Sequence, residues 1–108
     1  MAQSKVAEAV RFLEQRLQSA GLADLRVILF GSHALGTARD DSDIDVAIIS
    51  SSFRGKDIFE RARLTKDAEL RATRKFMLPF DILTLTPEEY QSNSMTAMFI
   101  KGASETPL

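Results

Sequence analysis

The chain contains no cysteine and no tryptophan, and only one histidine and one tyrosine among its 108 residues. Without thiols it can form neither a disulfide framework nor a thiolate nucleophile, which fits a reducing compartment. It also lacks any long apolar run. Residues 1–16 carry a charge every few positions, so neither a signal peptide nor a membrane span is expected, and the chain reads as soluble and cytoplasmic. Positive charge is not in excess either. A formal net charge of −1 argues against broad, sequence-independent nucleic-acid binding, which needs a basic face.

What is present fits one ordinary globular domain over residues 1–108, with 44% hydrophobic and 27% charged residues and seven Phe to anchor a core. A chain of this size buries roughly 60–70% of its unfolded surface. The tail from about residue 102 onward is expected to fray. The charge is uneven: residues 56–76 hold seven Lys or Arg against four Asp or Glu, and residues 77–108 hold one against four. The preferred reading is a solvated helix followed by an acidic tail; the alternative is a basic rim that attracts a triphosphate.

Val6, Ala9, Val10, Leu13 and Leu17 recur at three and four residues, the period of an amphipathic helix over 4–19, with Ser4 to cap it and Gly21 to end it. The apolar run Leu25 to Phe30 predicts a buried strand that stops at Gly31. Ile44 to Ser50 predicts a second strand, with Asp43 and Asp45 on one face and Ile44, Val46 and Ile48 on the other. Ser50, Ser51, Ser52 and Gly55 break the pattern. From Lys56 to about Phe76 the residues favour one helix or two, although Ile58, Phe59, Ala62, Leu64, Ala68, Leu70 and Ala72 form no clean stripe. A third strand over Leu78 to Leu85 tolerates Pro79 at its start. Thr86 as cap, Pro87 in the first turn and Glu88-Glu89 after it open a last helix, expected to reach about Lys101.

The chemistry concentrates between Phe30 and Ile49, where Gly31-Ser32 is followed after ten residues by Asp43-Ile44-Asp45. A Gly-Ser turn offers amides and a hydroxyl to a phosphate, and two carboxylates one residue apart on a strand share a face. Antiparallel pairing of the first two strands would bring Ser32 to face Asp43 and Asp45. Asp81 joins them only if the third strand runs parallel to the second, which requires a long crossover, and the segment 56–76 supplies one. The expected fold is therefore α/β (α+β), a small mixed sheet of three to four strands with helices packed on it. Three converging carboxylates repel one another unless cations neutralise them, and Mg2+ prefers such oxygen donors. Asp43 and Asp45 would bridge two Mg2+ ions, one holding a triphosphate and the other activating a hydroxyl, with Asp81 on the second ion.

The Gly-Ser, Asp-x-Asp and later Phe80-Asp81-Ile82 pattern resembles the nucleotidyltransferase superfamily that includes DNA polymerase beta, and the small size resembles its minimal nucleotidyltransferase branch. The likeness is strongest over 27–49 and extends to about residue 90. It implies a polymerase beta-like fold and transfer of a nucleoside monophosphate, most simply AMP from ATP, onto a hydroxyl. Relatives in this branch resemble antitoxins that adenylylate a tyrosine of a HEPN-type helical toxin, which implies such a protein partner. No acceptor-binding domain is evident, so the acceptor is expected to be held by that partner or by a second copy of the chain.

Other residues carry plainer readings. Gly31 and Gly36 have P-loop spacing, but Thr37 replaces the Walker lysine. Asp41, Asp43 and Asp45 begin like a calcium loop, but Val46 stands where its glycine belongs and Ser52 where its glutamate belongs. Arg39 could reach a phosphate, although a solvated loop arginine is the default reading for such a residue. His33 reads as a pocket wall, Gly36 as a turn, Asp40 and Asp41 as loop acids, and Ser42 as a cap into the strand. Met95, Met98, Phe99 and Ile100 read as core packing, with a partner surface as the alternative. Two rival functions stay open: modification of a small hydroxylated compound, and a vestigial site on a module that masks a partner.

Overall fold

In the computed structural model the chain is described over residues 2–39 and 42–92, with side chains from residue 5 onward. Its elements run α1 (Ala2–Ser19), β1 (Arg26–Phe30), α2 (Gly31–Leu35), β2 (Ile44–Ile49), a 3-10 turn (Ser51–Phe53), α3 (Ile58–Phe76), β3 (Phe80–Leu85) and α4 (Pro87–Gln91). The sheet order is β1-β2-β3. β1 pairs with β2 antiparallel, and β2 pairs with β3 parallel with α3 as the crossover, so the mixed sheet expected from the sequence is the one that forms.

Period-2 alternation assigns the two faces of this sheet. Val27, Leu29, Ile44, Val46, Ile48 and Phe80 meet α1 and α3 in the main core, while Ile28, Ala47, Ile49, Leu85 and Tyr90 form a smaller cluster on the other face. All five positions that predicted α1 are buried. The helix begins at Ala2, so Ser4 lies within it and is not its cap. Gly21, at φ +88°, turns the chain after α1 as expected.

The segment 56–76 is one helix, α3, begun by a capping box in which the Asp57 side chain accepts from the Glu60 amide and Glu60 returns the bond. Its ambiguous apolar pattern resolves by size. Thr65, Ala68 and Ala72 face the core, where small side chains let α3 approach α1, while Ile58 and Phe59 stay more than 70% exposed. Phe12 and Phe76 close the far end of this contact edge-on, ring centroids 5.8 Å apart. The triple serine does more than break a strand. Ser50 Oγ donates to the Ala23 carbonyl at 2.6 Å, Ser52 Oγ accepts from the Ala23 amide at 2.9 Å, and Ser51 Oγ donates to Asp24 at 2.7 Å, stitching the end of β2 to the α1–β1 loop.

Thr86 caps α4 with a second capping box, closed by Glu89. This helix ends at Gln91, short of the expected extension, and the readings on 93–108, including the Met95–Ile100 cluster and the tail, lie outside the described residues. No described helix is long and apolar enough to cross a membrane.

Because Leu13 is fully buried and Phe59 is 73% exposed, truncation of the two should separate cleanly. Leu13→Ala is expected to cost about 2–5 kcal/mol, read as a lower urea midpoint at unchanged slope, and Phe59→Ala to stay within about 0.5 kcal/mol of the parent.

Candidate functional site

β1 ends at Phe30, and the next residue, Gly31, takes φ +73°, a left-handed conformation that disfavours any side chain. The sequence reads Gly31-Ser32 as an open turn; the structure makes it the start of a five-residue helix, α2, closed by Gly36 in the left-handed region. The Ser32 carbonyl accepts from the amides of Gly36 and Thr37, which keeps this first turn compact. Ser32 itself is half-buried, and among the described residues its hydroxyl makes no hydrogen bond to Asp43 or Asp45.

The register then sets the acids. Asp45 is paired with Phe30 across the antiparallel ladder and with Asp81 across the parallel one. Equivalent positions on adjacent strands project side chains to the same face, so Asp45 and Asp81 are neighbours, and Asp43 lies just before β2 on that face. Gly31 lies hard against this group: a Cβ built there would fall 2.2 Å from Asp45 Oδ2. Glycine is therefore required at 31 both for its backbone angle and for the space that Asp45 occupies.

Electrostatics record the same convergence. Burial holds the Asp45 carboxyl above the ordinary Asp value, and the charges of Asp81 and Asp43 and a hydrogen bond with Asp81 push it further, against a smaller opposing pull from His33. The donors are all oxygen and carry uncompensated negative charge, which fits a hard divalent ion. Among the described residues, however, no group of three or more His, Asp or Glu side chains is already arranged as a cage for one.

His33 is more than a pocket wall. Its Nε2 lies 3.0 Å from the Ser42 carbonyl, so that nitrogen carries the proton and donates, tying α2 to the loop that enters β2. Arg39 sits at the far side of that loop. Its amide donates to Ser42 Oγ at 2.9 Å while its side chain is exposed, and it is not among the charges acting on Asp45. Asp40 and Asp41 lie outside the described residues.

Glu69, unnoticed in the sequence because its helix reads as a solvated charged face, comes close to Asp81 from α3. Its carboxyl is raised by burial and by the Asp81 charge. Both line a cleft of about 470 Å³ between α3 and β3, whose other end holds Lys56 and Arg61. Arg61 there acts as a strut, donating to the Lys56 carbonyl at 2.9 Å, the Thr84 carbonyl at 3.3 Å and Glu89 at 2.7 Å.

The profile of the nucleotidyltransferase domain family matches residues 4–102, and the chain belongs to that family. A solved minimal nucleotidyltransferase superposes with a TM-score of 0.65 at 23% identity, covering all of this chain (100%) and 97% of that one. A protein from Sulfolobus solfataricus, described as a nucleotidyltransferase, gives 0.64 at 22% identity, covering 82% of this chain and 73% of that one. At such identities the likeness establishes the fold alone. A toxin–antitoxin with AMP-PNP aligns at a TM-score of only 0.49 and 21% identity, over 89% of this chain and 63% of that one, too distant to carry an argument. No curated protein matches the chain.

Gly31→Ala should cost roughly 1–3 kcal/mol in urea unfolding, from the backbone angle and the collision with Asp45. Asp45→Asn should do the opposite to stability. With its folded pKa above the unfolded one, Asp45 takes up a proton on folding, so its charge weakens the fold as pH rises through that raised value. In metal-free buffer the Asn variant should unfold at higher urea than the parent at pH 7, and the difference should vanish as pH falls below the ordinary Asp range.

Proposed function

We propose that the chain moves a nucleoside monophosphate, AMP from ATP in the simplest case, onto a hydroxyl acceptor with the help of Mg2+. The observation that carries this reading is the shared register position of Asp45 and Asp81 beside a glycine that admits no side chain.

In this reading the Ser32 hydroxyl and the amides that follow it hold the terminal phosphates, and Gly31 lets the backbone come close to them. Asp43, Asp45 and Asp81 would hold two Mg2+ ions, which supply charge neutralisation for the triphosphate and lower the pKa of the attacking hydroxyl. Asp81 accepts the proton of that hydroxyl. The acceptor oxygen forms a bond to the α-phosphorus as the bond to the bridging oxygen breaks, and pyrophosphate leaves with that electron pair. Arg39 lies on the loop from which a cation could meet the departing phosphates. Positioning and charge neutralisation account for the rate, and no covalent enzyme intermediate is involved.

The acceptor we assign is a hydroxyl on a protein, and the resemblance to the minimal branch supports a HEPN-type helical partner and an antitoxin role in the cytoplasm. A small hydroxylated compound is the second acceptor class.

The test combines labelled ATP, Mg2+ and the product of the neighbouring gene. The wild-type chain is expected to label that protein, with transfer falling by about a hundredfold or more in Asp43→Ala and disappearing on chelation of the metal. Mg-ATP should raise the melting temperature in proportion to the logarithm of its concentration over Kd. Absence of both label and thermal shift would replace this reading with the vestigial partner-binding module.

A further inference from the structure

The outer edge of β3 has a backbone pattern that can be read residue by residue. The carbonyls of Pro79 and Leu85 accept from the amides of Ile44 and Ser50, at 2.9 and 3.0 Å, so the odd-numbered positions of β3 bond to β2. By the alternation of a parallel ladder, Phe80, Ile82 and Thr84 turn their N–H and C=O groups away from the sheet. β3 is the last strand in the order, and among the described residues no strand pairs with this edge. Among the described residues the Arg61 guanidinium donates to the Thr84 carbonyl at 3.3 Å, and the other outward groups of this edge meet no partner.

Unlike most open edges, this one is flanked. α3 runs antiparallel to β3 alongside it, with Arg61 opposite Thr84 and Glu69 near Asp81, and the cleft between them is lined by the five consecutive residues 80–84. On the helix side, between the larger Ile58 and Arg61 at one end and Glu69 at the other, the wall is Ala62 and Thr65, whose small side chains leave the middle of the trough open. A trough between a helix and an unpaired strand edge is the arrangement into which an extended peptide adds as another strand, because only a strand presents donors and acceptors at the matching spacing. The trough is also polarised: Glu69 and Asp81 stand at one end, and at the other Glu89 is paired with Arg61, which leaves Lys56 as the cation there that no acid side chain among the described residues engages.

We propose that the β3 edge and α3 together form the docking groove for an extended segment of the acceptor protein, which adds to β3 as a fourth strand and presents its hydroxyl residue at the Asp81 end. Five residues of edge span about 16 Å, enough for a segment of about five residues. An acidic side chain three or four positions from the hydroxyl would lie over Lys56. This assignment rests on the nucleotidyltransferase reading for the identity of the acceptor, but the groove is tested by binding alone.

The experiment is amide hydrogen exchange on the full chain, with and without a capped peptide of about nine residues. The peptide has a central Tyr, alternating Thr and Val around it, and a Glu three residues to each side, so that either strand direction is accommodated. Saturating peptide is expected to slow exchange at Phe80, Ile82 and Thr84 at least tenfold while Asp81 and Leu83, already bonded to β2, do not change. Ala62→Arg, which fills the trough from an exposed helical position, should weaken the peptide tenfold or more and leave the Mg-ATP thermal shift intact. Replacing both Glu by Lys in the peptide should also weaken it.

Three outcomes would overturn the proposal: no alternating protection, protection of the same amides that grows with protein concentration without peptide, or their protection in the free chain at every concentration. The second assigns the edge to a second copy of the chain and the third to a segment of the chain itself. A protein that binds the peptide in the expected pattern but ignores Mg-ATP would sink the enzymatic reading and spare the groove.

Discussion

The parallel alignment of β2 with β3 is the constraint from which the site follows. Asp45 and Asp81 are thirty-six residues apart in sequence, and only a crossover that returns the chain in the same direction can set them side by side. α3 performs that return, and its length, packing against α1 and two-sided capping box make the return rigid. A hairpin in place of α3 would have reversed β3 and carried Asp81 to the opposite end of the sheet.

Convergence of like charge is a liability to the fold, and the surrounding structure offsets it unevenly. Burial and two neighbouring carboxylates raise Asp45, and among the described residues His33 acts in the other direction. At the far end of β3 the balance reverses. The Arg61 and Arg54 guanidinia hold Glu89 and Glu88 below the usual carboxylate range, so these pairs favour the fold above that range and lose their effect as pH falls through it. Arg54 and Glu88 are exposed and screened, whereas the Arg61 side chain is only 13% exposed and also serves the Lys56 and Thr84 carbonyls, so the firmer anchor of α4 lies there. The acids that repel one another thus gather at one end of β3, and the acids that hold ion pairs gather at the other.

Much of this was legible in the chain because it depends on period. Five apolar residues at helical spacing fixed the buried face of α1, and alternation through Ile44, Val46 and Ile48 told which side of β2 carries the acids. The place of Asp81 followed once a crossover was inferred. What escaped depends on contacts between distant residues. Nothing local marks Gly31 to Leu35 as a helix rather than a turn, since five residues hold too few hydrogen bonds to leave a pattern. Glu69 reads like any solvated charge on a basic helix, and His33 like a pocket wall, because their neighbours, Asp81 and the Ser42 carbonyl, are named only by the tertiary fold. The stripe on α3 was obscured for a related reason: its core residues are Ala and Thr, selected for closeness and not for hydrophobicity.

The strict alternation along β3 carries one more implication. Phe80 and Asp81 are adjacent in sequence but face opposite sides, one in the main core and the other among the acids. A slip of one position would bury a carboxylate beneath α1 and α3 and expel an aromatic ring to water, a swap costly on both counts. Assembly of the acid edge and completion of the hydrophobic interior are consequently a single event, and a molecule that is well packed but has its acids misaligned is a state this chain is built not to visit.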